Sequence, residues 1–89
     1  MYRYRVEVYG SPEKALKNLY KGLKKKGDRV KMNGGVVNGY VGKTFSFEAY
    51  VARGGRSVCL DIKSLDKRIP ATRDLVKELF VKELDGSEW

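Results

Sequence analysis

The sequence predicts a single α+β domain, in which two helices pack on one face of an antiparallel sheet. The chain has 89 residues, which suits one domain rather than two. Two segments repeat apolar residues at helical spacing, and most of the others alternate apolar and polar residues with the period of a strand. We therefore expect the element order β-α-β-β-β-β-α over residues 1–89, with one hydrophobic core.

The first strand is predicted at residues 2–9, where apolar and aromatic residues alternate with charged ones. Gly10 interrupts this pattern. The outward side of the strand is expected to carry Arg3, Arg5, Glu7 and Tyr9.

The first helix is predicted between Ser11 and Gly27. Ser11 suits the N-cap because its hydroxyl can accept a hydrogen bond from a free backbone N–H, and Pro12 suits the first helical position. Gly27 suits the position just after the last turn. One buried stripe is expected, formed by Leu16, Leu19, Tyr20 and Leu23.

Residues 28–63 contain only strand and turn signals, and they predict a meander of four strands. A strand at 29–32 is followed by a turn at Asn33-Gly34. Asn38-Gly39 follows too closely to bound another full strand, so a bulge or irregular spot is expected there. The last two strands are predicted at 44–53 and 57–63. Their alternation places Tyr50 outward, together with Ser57, Cys59, Asp61 and Lys63.

A second helix is predicted from an N-cap at Thr72 to Gly86, after a loop at residues 64–71. Its apolar face is expected to consist of Leu75, Val76, Leu79, Phe80 and Leu84. Residues 87–89 are expected to be a frayed tail. Because each helix has only one apolar stripe, both helices should cover the same face of the sheet.

This element order resembles a single repeat of the TATA-binding-protein fold and its relatives in the helix-grip group. The resemblance covers nearly the whole chain and depends on element order alone. It implies an open sheet face, which in the TATA-binding protein binds the DNA minor groove and supplies apolar wedges that kink it. Here the predicted open face has no Phe pair, but it carries Arg3, Arg5, Tyr9, Tyr50 and Lys63.

The composition limits the class of partner. Lys and Arg number 19 against 11 Asp and Glu, which gives a formal net charge of +8 and suits nucleic acid, an anionic membrane or an acidic protein. The chain has no apolar run of the about 20 residues that a membrane helix needs. A single cysteine suits a reducing compartment. We therefore expect a cytoplasmic protein with no membrane partner, and the charge-rich, Gln-free composition suits a thermophilic source.

The sequence offers few residues for catalysis or metal binding. It has no His, and Cys59 has no neighbouring base to activate it. There is no Cys or His cluster for zinc, and Asp61 and Asp66 lack the spacing of a calcium loop. Gly42-Lys43-Thr44 resembles the end of a phosphate loop, but Val37 stands where that motif requires Gly. We expect no catalytic residue, no metal, no cofactor and no enzymatic activity.

Charge is segregated along the chain. Residues 11–27 carry a net charge of +5, whereas residues 74–89 carry −3. Within the first helix, five lysines fall in an arc of about 100° opposite the apolar stripe. They are Lys14, Lys17, Lys21, Lys24 and Lys25. A second basic group, consisting of Lys67, Arg68 and Arg73, borders the second helix.

Two hypotheses of function follow from these patterns. In the first, the domain binds DNA or RNA without reading the bases, because clustered ammonium groups release the counterions of a phosphate backbone. A second candidate surface for that hypothesis is formed by Arg3, Arg5, Tyr9 and Tyr50, since Tyr can stack on bases. In the second hypothesis the lysines only solvate the helix, and the open sheet face binds a protein partner or a second copy.

A small-molecule binder or enzyme is a third class. So small a domain has little interior for a pocket of about 300 Å³, although an oligomer could build one between subunits.

Overall fold

In the computed structural model, the described residues are 1–84 together with the backbone of residues 87 and 88. The predicted element order is confirmed. The elements are β1 (Tyr2–Val8), α1 (Pro12–Lys25), β2 (Arg29–Asn33), β3 (Val36–Val41), β4 (Phe45–Val51), β5 (Ser57–Ser64), α2 (Arg73–Leu79), a 3-10 turn (Val81–Glu83) and β6 (Ser87–Glu88).

The strands form one antiparallel sheet in the order β2-β3-β4-β5-β1-β6. β2 to β5 are the predicted meander, and each pairs with the next strand along the chain. β1 pairs with β5, so α1 must carry the chain from β1 back across the sheet to β2 at the far edge. The C-terminal end of α1 therefore lies beside the edge strand β2.

Both ends of α1 are capped as the sequence predicts. The Ser11 hydroxyl accepts a hydrogen bond from the Lys14 N–H at 3.3 Å, and Pro12 occupies the first turn. At the other end, the Asp28 N–H donates to the Leu23 carbonyl at 3.0 Å, while Gly27 adopts a φ of +88°. This left-handed glycine ends the helix and turns the chain into β2.

Both helices pack on the same face of the sheet, as predicted. Leu16, Leu19 and Leu23 of α1 are fully buried in a single hydrophobic core. Val76 of α2 joins that core. The ring of Phe80, which follows α2, lies 5.0 Å from the ring of Phe47 in an edge-to-face arrangement. The opposite face of the sheet is covered by no helix among the described residues, and we call it the open face.

The second helix is shorter than predicted. It ends at Leu79, and the chain continues as the 3-10 turn, in which the Leu84 N–H donates to the Val81 carbonyl at 3.0 Å. Phe80, Val81 and Leu84 are all buried, although the predicted stripe did not include Val81. The tighter turn has fewer regular helical hydrogen bonds, but it allows these three side chains to be buried. Gly86, the predicted end of the helix, lies outside the described residues.

The predicted frayed tail at residues 87–89 differs from the structure at its first two positions. The backbone of Ser87 and Glu88 pairs with Val8 and Glu7 of β1. Pairing with the exposed edge of β1 satisfies backbone groups on both strands. Trp89 lies outside the described residues. β1 itself ends one residue early, so Tyr9 lies beyond the strand.

The meander also differs from expectation at its glycines. The hairpin between β2 and β3 turns at Gly34 and Gly35, with φ of +55° and +82°, so the turn lies one residue after the predicted Asn33-Gly34. Asn38-Gly39 creates no bulge, because the pairing of β2 with β3 continues without an extra residue. The backbone is nevertheless irregular there, since Gly39 adopts a φ of +148°.

Candidate nucleic-acid interface

The five lysines predicted as phosphate contacts lie together on the exposed side of α1. Burial of the leucine stripe against the sheet turns the other side of the helix outward, and every one of the five is exposed. We call this surface the lysine face, and it consists of Lys14, Lys17, Lys21, Lys24 and Lys25.

Few acidic groups compete for these ammonium groups. Among the described residues, no ion pair involves Lys14, Lys17, Lys21 or Lys25. The Lys24 ammonium lies 5.7 Å from the centre of the Tyr20 ring, a cation–π contact that leaves its charge in place. The charge of the lysine face is therefore available to an anionic partner.

Lys26 is the exception among the lysines of this segment. Its ammonium pairs with the Glu83 carboxylate at 2.7 Å, which ties the end of α1 to the 3-10 turn. A glycine at position 22 makes room for that carboxylate, because a Cβ there would lie 1.9 Å from Glu83 Oε2. Lys26 thus serves the packing of two elements and does not extend the lysine face.

The second candidate surface is only partly assembled by the fold. Arg5 of β1 and Tyr50 of β4 both lie opposite Cys59 of β5, so they flank one residue of the open face. Arg3 lies on the same side of β1 and pairs with Asp61. Tyr9 is 65% exposed but stands beyond the end of β1, so it is not part of the paired strands.

A hydrogen-bonded network occupies two of these predicted residues. Arg3 Nε donates to Asp61 Oδ1 at 2.7 Å, and the Tyr50 hydroxyl donates to Asp61 Oδ2 at 2.9 Å. The carboxylate is only 13% exposed. The hydrogen bond that Tyr50 donates to this carboxylate raises the pKa of Tyr50, and partial burial acts in the same direction. Arg3 and Tyr50 are thus held by Asp61 and are less free to bind a partner than Arg5.

Cys59 and Ser57 lie on the open face as predicted. Both side chains are nevertheless buried and not exposed to solvent. Cys59 is 7% exposed. Its short side chain sits between the long side chains of Arg5 and Tyr50. Alternation in the sequence identifies the face of a strand, but the size of cross-strand neighbours decides whether a short side chain there contacts water. Lys63, also predicted outward, is exposed and lies opposite Ser46.

One member of the second basic group is paired with an acidic neighbour. Arg68 pairs with Asp66 at 3.2 Å, and this hydrogen bond holds the pKa of that carboxyl below its usual value, with a further contribution from the Arg68 backbone N–H. Lys67 and Arg73 are exposed.

Within the described residues no group of His, Cys, Asp or Glu side chains is arranged to hold a metal ion. Asp61 and Asp66, the two carboxylates weighed for that role, each bind an arginine.

One exposed aromatic residue of the open face is not among the residues predicted from the sequence. Tyr40 is 49% exposed and lies opposite Arg29 on β2 and Ser46 on β4. The alternation of Val37, Gly39 and Val41 would have indicated its direction, but the expected irregularity at Asn38-Gly39 obscured that pattern.

The first turn residue after β3, Gly42, donates its N–H to Asp28 Oδ1 at 3.1 Å, so this segment is a hairpin turn and not a phosphate loop.

None of the helices in the described part of the chain is long and apolar enough to cross a membrane.

Comparison of the chain with models of known protein families, with curated proteins and with solved structures finds no match. The likeness to the TATA-binding-protein repeat therefore remains one of element order.

Proposed function

We propose that this chain is a small non-catalytic domain that binds nucleic acid, chiefly by contacting backbone phosphates with the lysine face of α1. The observation that carries the proposal is that all five lysines are exposed on one side of one helix. Four of them form no ion pair with a carboxylate of the described residues. Binding of a polyanion by such a surface releases condensed counterions and is tolerant of sequence.

The simpler explanation is that the lysines only keep the outer side of α1 solvated. Charge distribution argues for more than solvation, because like charges four residues apart, such as Lys17 and Lys21, destabilise a helix. On α1 the single carboxylate is Glu13, which accepts a hydrogen bond from the Ser11 hydroxyl at 2.9 Å. It therefore supports the start of the helix, and within the described part of the chain it forms no ion pair with a lysine.

The double variant Lys17→Glu/Lys21→Glu tests this proposal by fluorescence anisotropy with DNA and RNA oligonucleotides over a salt series. Wild type should bind, with an affinity that falls steeply with salt, since each phosphate contact on a single strand contributes about 0.7 to the logarithmic slope. The variant should bind at least about ten-fold more weakly and with a shallower slope.

The matched control is Arg53→Glu/Arg56→Glu, which changes the net charge equally. These arginines are exposed and lie in the turn between β4 and β5, so they belong neither to α1 nor to the lysine face. An equal loss of binding in both double variants would show that only overall charge matters and would contradict a specific role for the lysine face. Absence of binding by wild type at low salt would refute the proposal.

A second proposed function is homodimerisation through the open face. It is favoured by the hydrogen bonds of Arg3 and Tyr50 to Asp61, which place a polar cluster on the open face beside the exposed Arg5. Tyr and Arg are common anchors of protein interfaces. On this proposal, sedimentation equilibrium should give a concentration-dependent mass for wild type, and the variant Arg5→Glu should remain a monomer. A monomer at all concentrations for wild type would exclude it.

A further inference from the structure

A basic groove follows the edge of the sheet at β2, next to the C-terminal end of α1. It is a surface concavity of about 630 Å³, and a second concavity of about 460 Å³ continues it around the β3–β4 turn. Asp28, Arg29 and Tyr40 line both. We call the two together the edge groove, and its other polar lining residues are Lys24, Lys31, Asn38 and Lys43.

The edge groove is strongly cationic. Lys24, Arg29, Lys31 and Lys43 line it, and all four are exposed. The only carboxylate in its described lining is Asp28, whose Oδ1 already accepts a hydrogen bond from the Gly42 N–H. Lys24 belongs both to this groove and to the lysine face. A phosphate backbone could therefore pass from one surface to the other without leaving positive potential.

Tyr40 gives this groove an aromatic surface that the lysine face lacks. Its side chain is 49% exposed, and its cross-strand neighbours are Arg29 on one side and the small Ser46 on the other. No hydrogen bond of its hydroxyl is found within residues 1–84, in contrast with Tyr50, which donates to Asp61. A base that stacks on Tyr40 needs free space, which the small Ser46 leaves. Its phosphate needs a nearby cation, which Arg29 supplies.

The residues around Tyr40 limit how a strand of nucleic acid can lie in the groove. Asn38 precedes Tyr40 by two residues on the same face of β3, and its amide can both donate and accept hydrogen bonds. Glu48, exposed on β4, lies opposite Asn38 and would repel phosphates. Phosphates should therefore keep to the β2 side, beside Arg29 and Lys31, while bases turn toward Tyr40 and Asn38.

We propose that the edge groove binds single-stranded nucleic acid, with a base stacked on Tyr40 and the adjoining phosphates bound by Arg29, Lys31 and Lys24. This inference deepens the proposed function and depends on it, because the lysine face would bind the same strand further along. A single strand is required since the paired bases of a duplex cannot offer a free face to a tyrosine ring. Lysines alone would not distinguish a single strand from a duplex.

The variant Tyr40→Leu tests the stacking, with Tyr40→Phe as its matched control. Leu keeps apolar bulk but has no aromatic face, whereas Phe keeps the ring and loses only the hydroxyl. Affinities would be measured by anisotropy for a short oligothymidylate, the corresponding oligouridylate and oligodeoxyuridylate, an abasic oligonucleotide of equal length and a duplex. Thermal unfolding of both variants shows whether each is folded.

Tyr40→Leu should weaken binding to the oligothymidylate or the oligouridylate about ten-fold, the usual value of one stacked base. Tyr40→Phe should bind like wild type. The abasic oligonucleotide, which has phosphates but no bases, should bind wild type and Tyr40→Leu equally weakly. Different binding of the oligouridylate and an oligodeoxyuridylate by wild type, lost in Tyr40→Leu, would identify RNA or DNA as the preferred strand, since these two probes differ only in the sugar.

The Tyr40 variants and the lysine double variant together distinguish failure of this inference from failure of the proposed function. If Tyr40→Leu binds single strands as wild type does, while Lys17→Glu/Lys21→Glu does not, the lysine face binds phosphates and the edge groove takes no base. Equal affinity of wild type for the abasic and the normal oligonucleotide would also overturn the stacking. If wild type binds none of the probes at low salt, both the inference and the proposed function are wrong.

Discussion

Two tyrosines on the open face differ in their immediate neighbours. Tyr50 lies near Asp61, and its hydroxyl donates to that carboxylate at 2.9 Å. Tyr40 lies two strands away from Asp61, between Arg29 and Ser46, and its ring is half exposed. The same residue type therefore fixes a polar network in one place and offers a surface for stacking in the other.

Gly39 is the residue that allows β2 and β3 to approach. A Cβ at this position would lie 2.0 Å from the Arg29 carbonyl oxygen and 2.8 Å from Val30 Cα. Both atoms belong to backbone, which cannot move as a flexible side chain can. The close approach also keeps Arg29 directly opposite Tyr40, so Gly39 helps to build the edge groove.

We expect Gly39→Ala to lower the free energy of unfolding by about 2 kcal/mol or more, because it combines a backbone clash with a φ that L residues rarely adopt. Gly35→Ala is the control. Gly35 has a φ of +82° but nothing within 4 Å of an added Cβ, so it should cost only about 1–2 kcal/mol. Urea unfolding of both variants measures the difference, and equal costs would show that the clash relaxes freely.

At the scale of elements, the Arg3–Asp61–Tyr50 network joins three adjacent strands. Arg3 lies on β1, Asp61 on β5 and Tyr50 on β4. The hydrogen bond from Arg3 holds the pKa of Asp61 below its usual value, the bond from Tyr50 acts in the same direction, and partial burial opposes them. The folded sheet therefore binds the ionised carboxylate more favourably than the protonated one.

This network predicts a loss of stability in acid. A folded-state pKa below the unfolded value means that the carboxylate stabilises the fold above about pH 4, and that this contribution is lost as pH falls through the folded pKa. At pH 7, Asp61→Asn should lower the free energy of unfolding by about 1 kcal/mol. Urea unfolding at pH 7 and pH 3 should show a smaller acid loss for this variant than for wild type.

Asp66→Asn is the matched control for that measurement. The pKa of Asp66 is also lowered by an arginine, but Arg68 is only two residues away and can meet Asp66 in the unfolded chain as well. Its variant should therefore change the acid loss less than Asp61→Asn does. The reverse order would show that the cross-strand network contributes little to the sheet.

The two helices illustrate a further difference between elements. α1 has a side-chain cap at its start and a glycine at its end, and both are visible in the sequence. α2 has the Thr72 cap, whose hydroxyl accepts from the Leu75 N–H at 3.4 Å, but its end depends on how Phe80, Val81 and Leu84 reach the core. A boundary set by local capping was predicted correctly, and one set by packing was not.

At the scale of the whole molecule, charge rather than shape distinguishes one region from another. α1 and the edge groove carry unpaired cations, whereas the acidic groups Glu83, Asp61 and Asp66 each bind a basic partner. The cations of α1 and those of the edge groove adjoin through Lys24, which lines both surfaces. The expected steep salt dependence of binding is a property of this distribution, since the affinity would arise from several phosphate contacts together.

The sequence by itself determined the element order, the caps of α1, the lysine face and the sidedness of most strands. These features depend on spacing along one segment, because helical and strand periodicity fix which side chains share a face. Tertiary structure decided the rest. It engaged Arg3 and Tyr50 with Asp61, buried Cys59, and placed Lys24, Arg29 and Tyr40 around one groove. Those residues belong to different elements. They come together only through the strand register and the path of α1 across the sheet, and neither can be derived from one segment alone.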